Sequence, residues 1–484
     1  MASDHVEVDH LVYLDAEALA RLLMGGRDEM GLFERVLGFR TSTTRFFLMH
    51  LMNDLAQSVF GGHPTHRGDL LCRLVRYEHV GEEGGEDNRD AVLRADERLG
   101  GAYNAAFPET IGAAQVRELR EGIAALLNFD KGMYLPGTAM ASPVATHWRL
   151  LGREGYRRFK AGLYVSELIG PEGRELLHEL YRRERDPVSR ALAPLLFGHE
   201  LEAQTYERAQ VERTAFDQAL SRRMSNLLRQ PLSKPVLLRY LALASSLALT
   251  LKLYGLGRAG GIPTLLALPA ESSTEGRALR EQAVVSLARG LDAFDRHLAG
   301  ALVQEPEWAH ILCNQIRSGA WPTLTIDASL QGVDAAHEAI RALRAHRTGS
   351  IKGVKETDMY WPENFVNSMA QRAGVVGPKT NRAGWGKHLT LTPDLVEVVI
   401  LMFTDPGGAP KPWLQLWAEV AADLGILIGA NQDLDAHTLE DAQVPFVSLS
   451  ELETNSEIFL EYAIERGIAR RLPDSGAEVG GALL

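Results

Sequence analysis

PENFVNSMAQRAGVVGPKTNRAGWGKHLTL, residues 362–391, is the stretch that decides how this chain is read. Proline suits the first turn of a helix, where no amide donor is needed, and Gly374 lies where that helix should stop. Val375-Val376, a polar Gly/Pro/Asn/Lys run and Lys387-His-Leu-Thr-Leu391 then read as two short strands around a basic turn. A helix followed directly by a basic hairpin is the layout of a winged helix.

Charge sets this stretch apart. Residues 339–393 hold nine Lys/Arg (Arg341, Arg344, Arg347, Lys352, Lys355, Arg372, Lys379, Arg382, Lys387) against three acids, a net +6. The whole chain is −12, which leaves −18 for the rest. A basic island in an acidic protein concentrates attraction for a polyanion in one place. Asn364, Asn367, Ser368, Gln371 and Arg372 are the polar side chains of the candidate reading helix, and Asn, Gln and Arg pair bidentately with base edges. Lys352, Lys355, Lys379, Arg382, Lys387 and His388 would reach phosphates. The rival reading is a solvated basic face on a module that touches only protein.

The same element recurs near the C-terminus, with a helix over residues 455–466, Gly467 as its stop, and strands over 468–472 and 477–479. The two helix-ending glycines, Gly374 and Gly467, are 93 residues apart, which suits two tandem modules. The second differs in charge: residues 394–484 carry sixteen acids and four bases. It would repel nucleic acid and suits a basic protein partner.

The rest reads as helical. Asp15 caps a helix ending at Gly25, and residues 45–60 and 67–79 form two more. Helical spacing continues through residues 113–127, 145–168, 171–184, 187–228, 234–254 and 280–302, and 262–268 is a candidate strand. The expected fold is mainly α: a multi-helical body with two C-terminal winged-helix-like (α+β) modules. The expected divisions are an N-terminal helical region (1–100), a central helical domain (101–334), a basic module (335–404) and an acidic module (405–484). Residues 237–256 are the most apolar, but Arg239 and Lys252 interrupt them; this reads as a core helix, with no membrane span. Two cysteines and a polar, acidic N-terminus point to a reducing cytoplasm.

No catalytic pattern of comparable quality is present, and no cofactor is expected. Gly255-Leu-Gly257-Arg-Ala-Gly260-Gly261 matches a dinucleotide loop literally, yet a helix precedes it and Ile262-Pro263 follows, so it reads as a helix stop. His63, His66, Cys72 and His79 lack the tight ligand pairs of a structural zinc site, so no metal is expected either. Carboxylates such as Glu200, Glu202, Glu207 and Glu212 read as a solvated helix face.

Arg372-Ala-Gly-Val-Val-Gly-Pro, Trp385-Gly-Lys-His-Leu-Thr-Leu, Leu424-Gly-Ile-Leu-Ile-Gly and Arg470-Arg-Leu-Pro-Asp carry a resemblance. The C-terminal third resembles tandem winged-helix accessory and scaffold proteins of bacterial antiphage defence islands. That resemblance implies a non-catalytic DNA-binding or scaffold subunit working beside other subunits, such as an ATPase or helicase. The alternatives are a pure assembly subunit for an ATPase or nuclease, and an enzyme with an unfamiliar site in the helical body.

Overall fold

The computed structural model describes residues 11–25, 30–41, single positions between 48 and 104, and 109–119, 161–183, 213–270, 277–313, 324–345, 361–378, 386–445, 448–473 and 476–480. Of these residues, 67% are helical and 10% lie in strands, so the protein is mainly α with small sheets. The chain forms two compact units, each discontinuous in sequence: residues 1–46, 208–220 and 246–484, and residues 47–207 and 221–245. The chain leaves the first unit within one helix and returns to it within the next.

In the first unit, β1 (Leu11–Leu14) leads into α1 (Ala16–Met24), and α2 (Leu32–Leu37) follows. Asp15 caps α1 as its sequence predicts, accepting from the Ala18 amide at 3.0 Å. The strand before it is a departure from the all-helical N-terminus expected. The second unit contains α3 (Ala161–Arg183), which breaks at Gly170 (φ 67°) before Pro171, so the two helices expected there are joined through a kink. It also takes the ends and beginnings, respectively, of α4 (Ala215–Arg229) and α5 (Lys234–Gly255). Residues 236–255 of α5 are apolar and long enough to cross a membrane by composition, but 89% of that window is buried inside the protein, as in a core helix.

After α5 the first unit resumes. A 3₁₀ turn (Ala259–Gly261) leads to β2 (Leu265–Pro269), then α6 (Arg277–Val303), α7 (Trp308–Ile311), β3 (Leu312–Cys313), β4 (Leu324–Asp327) and α8 (Gly332–Ala345). α9 (Pro362–Ala373), β5 (Val376–Gly377), β6 (His388–Leu391) and α10 (Pro393–Phe403) come next. The chain closes with β7 (Lys411–Pro412), α11 (Trp413–Leu424), β8 (Ile426–Leu427), α12 (Gln432–Asp441), α13 (Leu449–Glu465), β9 (Ala469–Arg471) and β10 (Ala477–Val479). Two three-stranded antiparallel sheets have the orders β3-β1-β4 and β7-β10-β9.

The organising element is a third, mixed sheet of order β5-β6-β2-β8. β2 lies parallel to β6 on one side (Ala267 opposite Leu389) and to β8 on the other (Leu265 opposite Ile426). With a strand on each edge and α6 packed against it, all five β2 residues are buried, which explains their unbroken apolar run. Asn455 of α13 fastens this sheet from within, donating to the carbonyls of Ala267 (3.0 Å) and Ile428 (2.9 Å). Gly425 explains one further constraint. Its φ is 66°, and a Cβ there would stand 1.7 Å from the Pro263 carbonyl oxygen, so only glycine lets α11 turn into β8 beside the strand entry.

Candidate nucleic-acid interface

α9 and the hairpin after it exist where the sequence puts them. Pro362 opens the helix, and Gly374 (φ 76°) ends it, with its amide reaching back to the carbonyls of Ala370 and Gln371. Phe365, Val366, Met369, Ala370 and Ala373 face the core. Asn364, Ser368, Gln371 and Arg372 share the other side at i, i+4, i+7 and i+8, and all four are half-buried. Arg372 leans on Ser368 at 3.2 Å. Asn367 is committed inward: it accepts the Tyr254 hydroxyl at 3.0 Å.

The hairpin is built into the body. β5 and β6 pair antiparallel, Val376 opposite Leu389 and Gly377 opposite His388, but the outer edge of β6 is taken by β2. All four β6 residues are buried. His388 is 5% exposed, and burial, with Arg280 and Lys387 nearby, pushes its imidazole below the ordinary range. It therefore stays neutral at pH 7 and offers a phosphate no charge. Lys387 donates to the Pro378 carbonyl, and burial lowers its pKa as well. Lys352, Lys355, Lys379 and Arg382 lie outside the described residues, as does Arg347.

Among the described cations of the island, Arg344 is largely buried between two carboxylates. Its guanidinium bonds Asp295 of α6 at 2.6 Å and Glu363 of α9 at 2.6 Å, and lies 4.2 Å from the centroid of the Trp361 ring. Phe33 packs against Trp361 with ring centroids 5.6 Å apart. Burial raises Asp295 to about 6 against the pull of Arg344, and burial pushes the Tyr254 phenol up. Arg341 sits outside this knot, paired with Glu338 at 3.1 Å. The charge of the basic stretch includes Arg344, although it is not among the candidate contact residues. The available signal was its place on α8: at i+4 from Ile340 and beside Leu343, it falls toward the apolar side.

The acidic module presents a different surface. Trp413, Trp417 and Phe459 stack in its core, with centroids 5.5 and 6.2 Å apart, and Trp413 donates to Ser456 at 3.2 Å. On α13 the outward positions are Glu453, Thr454, Glu457, Ile458, Glu461 and Glu465, all exposed. Arg471 of β9 reaches across this face to Glu457 (2.7 Å) and Glu461 (2.5 Å), and Arg470 pairs with Glu478. Below the helix, Asp435 accepts the Gly429 amide at 2.8 Å, and the Ala430, Asn431 and Ile428 amides also point to it; burial still raises it to about 6.

The other candidates resolve plainly. The glycine-rich turn after α5 runs from a helix into a strand, the reverse of a dinucleotide loop, and a Cβ on Gly257 would stand 2.1 Å from the Ala293 carbonyl oxygen. Packing accounts for that glycine. Just before this turn, Lys252 forms a buried pair with Asp217 at 2.7 Å, which sequence reasoning did not foresee. His63, His66, Cys72 and His79 lie outside the described residues, as do Glu200, Glu202, Glu207 and Glu212. Among the described residues no group of three or more His, Cys, Asp or Glu is placed to hold a metal ion. No protein-family model, curated protein or solved structure matches the chain.

Proposed function

We propose that this chain is a non-catalytic assembly subunit that docks a basic segment of a partner protein on the outward face of α13. The observation that carries this reading is the exposure of that face. Ile458, 36% exposed, stands among Glu453, Glu457, Glu461 and Glu465, and Leu449 opens the helix at 41% exposure. Carboxylates in a row draw in a cationic partner and fix its register, while exposed aliphatic groups supply contact that water leaves on binding. Arg471 illustrates the fit, since one guanidinium bridges carboxylates a helical turn apart. The resemblance of the C-terminal third to accessory proteins of antiphage systems makes a cytoplasmic ATPase or helicase the partner class to try first.

DNA contact is the second reading, and one observation favours it. Asn364, Ser368, Gln371 and Arg372 form a single acid-free stripe on a helix that leads into a hairpin. Half-burial of that stripe, and the embedding of β6, are why it stands second.

One experiment separates the readings. The tagged full chain is used to capture partners from its own cell, beside a Glu453→Lys/Ile458→Asp/Glu465→Lys variant and a Lys379→Glu/Arg382→Glu/Lys387→Glu variant. The assembly reading expects the first variant to lose the co-purifying protein at least about tenfold, through off-rate and on-rate together, with circular dichroism unchanged. Undiminished capture by that variant refutes it. The DNA reading expects the second variant to lose duplex retention in a gel shift, and the wild-type affinity to fall steeply with salt.

A further inference from the structure

We infer that the partner's basic segment binds the α13 face through an arginine that takes the place of Arg471 on Glu457 and Glu461, so that the β9–β10 hairpin carries the face's own competitor. Given the docking reading of that face, on which this rests, one contact both defines the cation accepted there and holds the face closed. Only residues 466–468 separate α13 from β9, and strand alternation sends Arg470 and Arg471 to opposite sides. Arg470 pairs with Glu478, its cross-strand neighbour on β10. Arg471 lies on the side of the buried Ala469 and turns to α13, where it bonds carboxylates four residues apart, about 6 Å along the helix.

The contact is built for exchange more than for structure. The side chains of Glu457 and Glu461 are 51% and 52% exposed, whereas the carboxylates held by Arg466, Lys411 and Arg470 are between 14% and 30% exposed. Solvent, and any cation in it, therefore reaches the first pair while the others are largely shielded. Both bonds of Arg471 also leave a single nitrogen, Nη2, at 2.7 Å to Glu457 and 2.5 Å to Glu461. A guanidinium is a planar fork of five N–H groups and pairs most strongly when two nitrogens are engaged. An arginine arriving from solvent is free of the hairpin's tether and gives each carboxylate its own nitrogen. Lysine has no fork and meets the same pair as a point charge.

The row extends beyond the exchanged pair. Glu453 and Glu465 stand four residues to either side, both exposed and neither in an ion pair among the described residues. Four carboxylates and one guanidinium leave the row at −3 with Arg471 in place, which draws a cationic segment in before the exchange. A second copy of the chain brings the same acidic row and is repelled, so the occupant is a different protein.

The test is fluorescence anisotropy with a labelled hexa-arginine peptide and the full chain: wild type, Arg471→Ala, Arg470→Ala, Glu457→Gln/Glu461→Gln, and the last pair combined with Arg471→Ala. At low salt, R471A should bind at least about threefold tighter than wild type, because two carboxylates lose their resident cation. R470A removes the same charge from the other side of the same strand and should change affinity by less than about 1.5-fold, which separates exchange from net charge. E457Q/E461Q should bind at least about threefold more weakly than wild type, and R471A should restore nothing in that background. A hexa-lysine peptide should gain less than about half as much from R471A. Binding by R471A equal to or weaker than wild type overturns the proposal, as does a gain in R470A that matches it, an equal gain with hexa-lysine, or a wild type that does not bind the peptide. Any of these, with Glu453→Lys/Ile458→Asp/Glu465→Lys still losing its co-purifying protein, leaves the docking reading standing without the exchange. Undiminished capture by that triple variant removes the docking reading itself.

Discussion

Replacing Lys252 by methionine removes the charge-bearing atom of a side chain that is 1% exposed, and takes that cation away from Asp217, 5% exposed. The pair is separated by 2.7 Å, and Asp217 Oδ2 also accepts the Thr214 amide and hydroxyl, both at 2.9 Å. Thr214 and Asp217 thus form a reciprocal cap for α4, with Thr214 accepting the Asp217 amide at 3.3 Å. The cap has no need of a charge, but a buried carboxylate does need its partner. Breaking such a pair on one side costs about 3–5 kcal/mol, while neutralising both sides costs far less. Lys252→Met should therefore lower the urea midpoint by that equivalent, and Lys252→Met/Asp217→Asn should recover most of it, since asparagine still accepts from Thr214. The coupling energy from the double-mutant cycle should be at least about 2 kcal/mol. A single variant within about 1 kcal/mol of wild type would refute the reasoning. A double variant as unstable as the single one would refute it too, because the lost contact would then be the aliphatic stem and not the charge.

Two further outcomes follow from the same geometry. Asp435 has a folded pKa of about 6, raised from 3.8, so its contribution to stability is complete below the unfolded value and is lost as pH rises through 6; wild type should lose up to about 3 kcal/mol relative to Asp435→Asn between pH 4 and 7 in thermal melts. Asp435→Ala, by contrast, orphans the amides that point to it and should be destabilising at every pH, by about 1–3 kcal/mol. Gly425→Ala should cost well above the roughly 1–2 kcal/mol of the left-handed conformation, because of the Pro263 carbonyl at 1.7 Å, whereas Gly407→Ala, with φ 67° and open space around it, should cost only that amount. Equal melting temperatures for the two glycine variants would remove the steric argument.

Much of the local structure was legible from residue types. Asp15, Thr392, Pro362, Gly374 and Gly467 mark helix ends by capping chemistry that acts over three or four residues, and each does so here. The Leu-rich run before Pro269 reads as a strand because β-type burial on both edges leaves no polar alternation. What the sequence withheld is pairing at a distance. Nothing in residues 388–391 says that their second edge meets residues 267–269, so the hairpin reads as a projecting flap when it is an interior ladder. The same limit applies to charge. Arg344 counts as +1 in any window, and only tertiary contacts reveal Asp295, 49 positions earlier, beside it. α12 was missed because its polar residues, Gln432 to Asp435, hide a single buried seam at Asp435 and Leu439.

The basic and acidic stretches, so different in composition, share one sheet. β6 belongs to the first and β8 to the second, and β2 lies hydrogen-bonded between them. Ion pairs also tie the C-terminal elements together: Arg466, which follows α13, pairs with Asp394 and Glu397 of α10, and Lys411 with Glu419 at 2.8 Å. Cutting the chain at residue 404 would carry β8 away from β2 and leave an apolar strand edge open, which is a template for aggregation more than for recognition. Any loss of partner or DNA binding by such a fragment would then report a damaged sheet and not a missing contact. Side-chain replacements on the outer face of α13 and on the α9 stripe leave all three strands in place, and for that reason the intact chain with surface substitutions is the form in which binding to either kind of partner has a physical meaning.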